Sequence, residues 1–318
     1  MLFEFKIVDL KAIELDNNYY CITTEKNRKD LISSVSELGL LNPPILLFKN
    51  FKYIVISGFR RISSCIDIGH SDIMTKVLKP DISDTTIAKI AVSENSLQRD
   101  LNLIEQSRSF DLLFKSYKSI ENVAKIASSL KLSQNFNFIK KVMKICRFPE
   151  NIQQSILNNT ISFSMALQLE KIDPDAKLFF TLLFNNLKFS LNKQKEIINL
   201  TQEISYRDEI PLIDVLQDKN IILLLNDEKL DSNVKVNKIR SYFRKLRYPE
   251  ITKAERKFKC SLKQLNLNKD INLSPPKDFE TGKYSFKIDF SNLLTLKNRL
   301  NDLMSLTNSP VFNNILNQ

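Results

Sequence analysis

Glycine is scarce in this chain: four in 318 residues, at Gly39, Gly58, Gly69 and Gly282. A chain so sparing of glycine places it where backbone geometry or close approach demands it. Histidine is scarcer still. His70 stands alone, which excludes a multi-histidine metal site, and its position after Gly69 reads as a surface turn. Cys21, Cys65, Cys146 and Cys260 are scattered without a CxxC pair. That argues against a zinc site or a disulfide framework and suits a reduced compartment. No run of 18 or more apolar residues occurs, so no membrane span is expected. The opening residues, Met1-Leu2-Phe3-Glu4-Phe5-Lys6, lack a signal-peptide pattern, and a cytoplasmic protein is expected. No cluster of carboxylates supports a metal nuclease.

What is abundant is positive charge. The net charge is +11 and the isoelectric point about 9.3, which points to a polyanionic partner. The excess is uneven: Lys235 to Lys263 holds eleven Lys/Arg against Glu250 and Glu255. A solvated, lysine-rich surface is the plainer explanation, and it accounts less easily for the clustering. A length of 318 residues allows two or three domains.

The rest of the chain is organised around Ile54-Val55-Ile56-Ser57-Gly58-Phe59-Arg60-Arg61. A short β-branched run reads as a buried strand. Ser57-Gly58 turns it, and Ile62, Cys65 and Ile66 continue at helical spacing until Gly69. Strand, glycine turn and a helix start carrying two guanidinium groups form a workable anion site, because free N–H groups and the positive end of the helix dipole meet there. An ordinary turn with two solvated arginines is the alternative. Around it the pattern predicts a strand over 3–15, helices over 29–38 and 60–68, strands over 44–48, 52–56 and 73–77, and a helix from Asp84 towards Glu94-Asn95.

These residues resemble a known family. Ile32 to Ile45, with Glu37-Leu38-Gly39-Leu40-Leu41-Asn42-Pro43-Pro44, is similar to the first box of the ParB-type DNA partition proteins. Gly58-Phe59-Arg60-Arg61 resembles their second box, usually Gly-Glu-Arg-Arg. Glu94-Asn95-Ser96-Leu97-Gln98-Arg99 resembles the third, with its arginine five residues after the glutamate rather than four. On a helix that extra position turns a side chain by about 100°. Tyr19 to Thr24 departs from the proline- and arginine-bearing segment common in the family. The resemblance implies a nucleotide, CTP with Mg²⁺, bound by Gly39, Gly58, Arg60, Arg61, Glu94 and Asn95, with Glu94 and Asn95 as oxygen ligands to the metal. Phe59 stands where the family commonly has a glutamate, so a weak CTPase activity, slowed or lost, is expected. A sulfiredoxin-like reductase on the same N-terminal fold would need a cysteine at that place.

Leu101-Asn102-Leu103-Ile104-Glu105-Gln106 resembles the opening of the family's helical DNA-binding domain. Ile120, Val123, Ile126, Ala127 and Leu130 line one amphipathic helix. After a break at 131–135, Phe138, Ile139, Val142, Met143 and Ile145 line a second. Helix, short break, helix predicts a helix-turn-helix, here without the usual turn glycine. Lys140, Lys141 and Lys144 are placed to meet phosphates, and Ser133, Gln134 and Asn135 to reach base edges. Solvated lysines on an outward face are the alternative. Further on, Tyr284, Phe286, Ile288 and Phe290 alternate as a half-buried strand. Leu293, Leu296, Leu300, Leu303 and Met304 line a last helix.

The expected architecture is a multidomain α+β chain. It comprises a ParB/sulfiredoxin-like N-terminal domain (1–101), an all-helical helix-turn-helix domain (102–232), a basic helix or linker (233–253), a small αββα dimerisation module (254–306) and a flexible tail (307–318). The resemblance implies a homodimer that binds a centromere-like site on double-stranded DNA, clamps or spreads there at the nucleoid, and works with a ParA-type ATPase without a membrane partner. A transcription regulator with the same helix-turn-helix and no partition role is the rival.

Overall fold

The computed structural model describes residues 2–279 and 282–316. It divides into two compact units, residues 1–185 and 186–318, and each is described by itself.

The first unit begins with a five-stranded sheet. Strands β1 (Phe3–Asp9), β2 (Ile13–Glu14), β3 (Ile45–Lys49), β4 (Lys52–Ser57) and β5 (Asp72–Leu78) lie in the order β1-β5-β3-β4-β2. The β1–β5 and β3–β4 pairs are antiparallel, and β3–β5 and β2–β4 are parallel. Helices α1 (Lys29–Leu38) and α2 (Phe59–Ile68) cover the sheet. Val35 from α1 and Ile62 and Cys65 from α2 join Val8, Leu46, Val55 and Ile73 in one buried cluster. The single strand expected over 3–15 is broken. Asp9 accepts a hydrogen bond from the Lys11 amide, which caps a 3-10 turn over Leu10–Ala12 and re-aims the chain into β2.

Helix α3 (Asp84–Ser96) leads to the helical part of this unit: α4 (Leu103–Tyr117), α5 (Ile120–Ala127), α6 (Phe136–Val142), α7 (Glu150–Leu157), α8 (Phe163–Leu169) and α9 (Pro174–Asn186). Helix α4 is the axis of this part. Ile104, Phe110 and Leu113 are fully buried, and a reciprocal Asn102–Glu105 capping box fixes its start, which satisfies donors that a helix N-terminus otherwise leaves open. The missing turn glycine between α5 and α6 has a local substitute. Lys131 adopts the left-handed conformation (φ 53°), and the Leu132 amide reaches back to the Ala127 carbonyl at 2.9 Å, closing the turn as a glycine cap would.

The second unit contains α10 (Leu191–Asp208), α11 (Leu212–Leu216), α12 (Lys219–Asn226), α13 (Ser232–Arg247), α14 (Pro249–Leu265), β6 (Ile271–Ser274), β7 (Ser285–Ile288), α15 (Leu293–Leu306) and α16 (Pro310–Leu316). The antiparallel β6–β7 pair sets Leu273 opposite Phe286. Two expectations are corrected here. The segment expected as a flexible tail (307–318) carries α16 up to Leu316, with 317–318 outside the described residues, because Phe312 and Ile315 at helical spacing bury against Phe258 and Leu273 and Tyr284 donates to the Ile315 carbonyl at 2.9 Å. The expected half-buried alternation over 284–290 reduces to four paired residues, and Phe286 stays more than a third exposed. Helix α15 has the expected leucines but buries none of its residues.

Candidate nucleotide cleft and helix-turn-helix face

Gly58 decides the geometry of the cleft. Its φ of 97° lies in the left-handed region, and a Cβ there would stand 2.7 Å from the Pro44 Cβ. Only glycine lets β4 turn into α2 against the Pro43-Pro44 segment at this spacing. The turn delivers Arg60 and Arg61 in the first turn of α2. Arg60 donates through Nη2 to the Asn27 carbonyl, while its buried Nε has no hydrogen-bond partner among the described residues. Arg61 donates through Nη1 to the Asn42 carbonyl, and its Nη2 stands 4.0 Å from Glu94 Oε2. Burial pushes the Arg61 guanidinium below its ordinary range, and the Glu94 charge works against that shift. An orphaned buried donor costs about 1–3 kcal/mol until an acceptor meets it. Two guanidinium groups held mainly by carbonyls are therefore primed for an anion.

A cleft of about 340 Å³ gathers these groups. Gly58, Arg60 and Arg61 line it together with Glu94 and Asn95 from the end of α3. The Asn95 side-chain amide donates to the Ala91 carbonyl at 3.0 Å, which fixes the carboxamide and leaves its oxygen as a potential ligand. Gly39 is the exception among the expected residues. It caps α1 at φ 75° and is not among the residues lining the cleft. The sequence reading missed Thr23, Asn42, Lys76, Gln98 and Arg99, all of which line it. Arg99 overturns the expected rotation. Helix α3 ends at Ser96 and residues 97–99 form a turn, so the extra residue before Arg99 falls outside the helix and does not swing the side chain away.

The residues expected to read DNA cluster on the α5–α6 turn. Asn135 is the N-cap of α6, and its carboxamide oxygen accepts from the Phe138 amide at 2.9 Å. Gln134 is exposed and Ser133 half-buried. Lys140 and Lys141 lie on the exposed face of α6, and Lys144 lies beyond it because α6 stops at Val142. That early stop is a correction to the longer helix expected through Ile145. Ser107 of α4 supplies its cause, donating to the Val142 carbonyl at 2.6 Å and accepting from the Cys146 amide at 2.8 Å. None of the three lysines is in an ion pair among the described residues.

The basic helix α13 is built differently. Arg240 pairs with Glu196 at 2.6 Å, Arg247 with Glu203 at 2.6 Å and Arg244 with Glu255 at 2.8 Å. Val236, Ile239 and Phe243 bury its other face.

No protein-family model matches the chain. A probable chromosome-partitioning protein ParB of Helicobacter pylori is 25% identical over 199 residues, covering 60% of this chain and 65% of that protein. The Campylobacter jejuni counterpart is 28% identical over 145 residues, covering 45% of this chain and 50% of that protein. The chain is similar in sequence to the ParB-type partition proteins. It spans about half to two thirds of the length of these ParB relatives. A C-terminally truncated ParB from Caulobacter crescentus complexed with CTP-gamma-S is 19% identical, with 52% of this chain and 91% of that one covered at a TM-score of 0.27. A score of that size establishes no common arrangement. No helix among the described residues is long and apolar enough to cross a membrane.

Proposed function

We propose that this chain is a ParB-type partition protein: a dimer that recognises a site on double-stranded DNA through α5 and α6 and clamps there under control of CTP bound in the Gly58 cleft. The observation that carries this reading is the convergence of three distant segments, each similar to a ParB box, on one cleft that holds an unpartnered buried arginine donor. The cationic wall suits a triphosphate: Arg60 and Arg61 stand at a helix start where backbone N–H groups also face outward. Mg²⁺ fits the donor set. Glu94 and Asn95 offer two hard oxygens, and Mg²⁺ prefers one or two protein oxygens plus substrate phosphates. When bound, the metal neutralises charge on those phosphates. The choice of CTP over other nucleotides rests on the ParB resemblance.

Phe59 shapes what the cleft does afterwards. Its ring packs against the sheet cluster and has no group able to orient a water or a metal. Nucleotide binding without rapid hydrolysis is the outcome for this chain, so CTP acts as a switch more than a substrate. Dimerisation is assigned to residues 254–306. The apolar face of α15, with Leu293, Leu294 and Met304 each about two-thirds exposed, suits a second copy. A ParA-type ATPase remains the implied partner.

Isothermal calorimetry with each nucleoside triphosphate plus Mg²⁺, with and without cognate DNA, tests the reading. Heat with CTP above the others is expected. No heat with any of them would leave a passive DNA-binding protein. Genome-wide DNA pull-down then separates roles: broad occupancy around one site fits clamping, and isolated sharp sites fit a transcription regulator.

A further inference from the structure

Glu105 is the least exposed carboxylate of the first unit, at 1%, and it lies outside the set of residues assigned above. Its oxygens meet five donors. Arg99 donates through Nη1 to Oε2 at 2.6 Å and through Nη2 to Oε1 at 2.8 Å. The Thr24 amide reaches Oε1 at 3.0 Å and the Thr24 hydroxyl at 3.3 Å, and the Asn102 amide reaches Oε2 at 3.2 Å. Burial works against the Glu105 charge, and these donors, the Arg99 fork first, outweigh it and hold its pKa below the ordinary value.

The three partners belong to different places. Arg99 lines the Gly58 cleft, as does Thr23 next to Thr24. Asn102 caps α4, the helix whose Ser107 is tied to the end of α6 at Val142. One turn further on, Arg108 donates to the Thr23 carbonyl at 2.8 Å. The first two turns of α4 thus hold one wall of the cleft.

The geometry of Arg99 supplies the remaining step. A guanidinium carries five N–H donors in a fixed plane. Glu105 takes the end-on fork formed by Nη1 and Nη2, and the Asp100 carbonyl takes a further Nη1 contact at 3.3 Å. The side-on edge, Nε with the second hydrogen of Nη2, is left for another planar or tetrahedral anion. We propose that Glu105 is a positioning residue for the triphosphate. It holds Arg99 end-on so that the side-on edge takes a phosphate oxygen, and it ties that contact to the start of α4. This rests on the nucleotide reading above and adds to it a route by which the cleft and the DNA-binding helices sense each other.

A plain capping role for Glu105 predicts something else, and a double-mutant cycle separates the two. Calorimetry uses CTP with Mg²⁺ on the full chain, with a thermal melt of each variant to confirm folding. Glu105→Gln keeps one acceptor oxygen, enough for the Thr24 or the Asn102 amide but not both, and removes the charge that orients Arg99; the expected loss of affinity is about tenfold. Arg99→Lys keeps a charge without the double fork, and it is expected to lose a similar factor. The double variant is expected to lose no more than either single one, because Glu105 acts through Arg99. An unchanged Kd for Glu105→Gln, or a multiplicative loss of about a hundredfold in the double variant, would overturn the inference while leaving the nucleotide cleft intact. No heat from the unaltered protein would overturn both. Should Glu105→Gln fail to fold, Arg99→Lys decides alone, since an unchanged Kd removes the proposed phosphate contact.

Discussion

Arg60 and Arg61 at the start of α2 and Arg240 and Arg247 on α13 are the same residue type in opposite circumstances. The α13 pair makes contacts of 2.6 Å to Glu196 and Glu203, so each charge is answered within its own unit. The α2 pair is held by the Asn27 and Asn42 carbonyls, and among the described residues the carboxylate paired with it, Glu94, stands 4.0 Å from Arg61. A carbonyl orients a guanidinium without neutralising it. The α13 pair is structural and the α2 pair is available to an anion. Charge density along the sequence points the other way, because the stretch from 235 to 263 is by far the richer in Lys and Arg.

Breaking the glycine turn tests the α2 side of this contrast with the largest effect. Gly58→Ala forces a Cβ to within 2.7 Å of Pro44 at a φ that L residues resist. Nucleotide binding is expected to fall at least a hundredfold as α2 shifts and its arginines lose their common aim. Calorimetry with CTP and Mg²⁺ reads the loss directly, and near-normal affinity would show that the arginines bind without the turn.

The α13 side is sharpened by DNA binding. Removing one phosphate contact lowers the slope of log affinity against log salt by about 0.9. Lys140→Ala, on the exposed face of α6, and Lys144→Ala, just beyond its end, are each expected to show that decrement. Arg240→Ala and Arg247→Ala are expected to leave the slope unchanged and to cost about 1 kcal/mol of stability from a partly exposed pair. A slope change from the α13 variants would mean that DNA competes with Glu196 and Glu203 for these arginines.

The contrast also explains which parts were legible in the sequence. Helix α1 and strands β3, β4 and β5 were readable to within a residue or two because apolar periodicity and glycine punctuation agreed there. Gly58, Arg60, Arg61, Glu94 and Asn95 were readable from motifs and do meet in one cleft. What stayed hidden depends on where elements end. Arg99 was set aside because a helix was assumed to continue past Ser96, and the α6 stop at Val142 follows from Ser107, 35 residues upstream in sequence. Glu105 stands in the sequence only as part of the segment that opens the helical domain, since nothing local announces that Thr24 and Arg99 converge on it. The pairing of the α13 arginines is equally non-local, with partners in α10 and α14.

The smallest expected effect concerns a second place where the backbone turns left-handed. The two-residue loop joining β3 to β4 places Asn50 at φ 54° and Phe51 at φ 62°, the signs that a type I′ turn requires at both positions. Gly58 needs that region because a Cβ would strike Pro44. Phe51 occupies it as a residue 95% exposed, so nothing visible offsets the strain of a bulky residue there. Phe51→Gly restores the Asn-Gly pair such turns favour. Relief of about 1–2 kcal/mol of left-handed strain, less up to about 1 kcal/mol for the looser unfolded chain, leaves a modest net gain in stability. Urea unfolding checks it: a higher midpoint at an unchanged slope is expected, with CTP affinity unaltered. A lower midpoint would show that the Phe51 ring has a partner in the folded protein that offsets its strain, and that the two left-handed positions are alike after all.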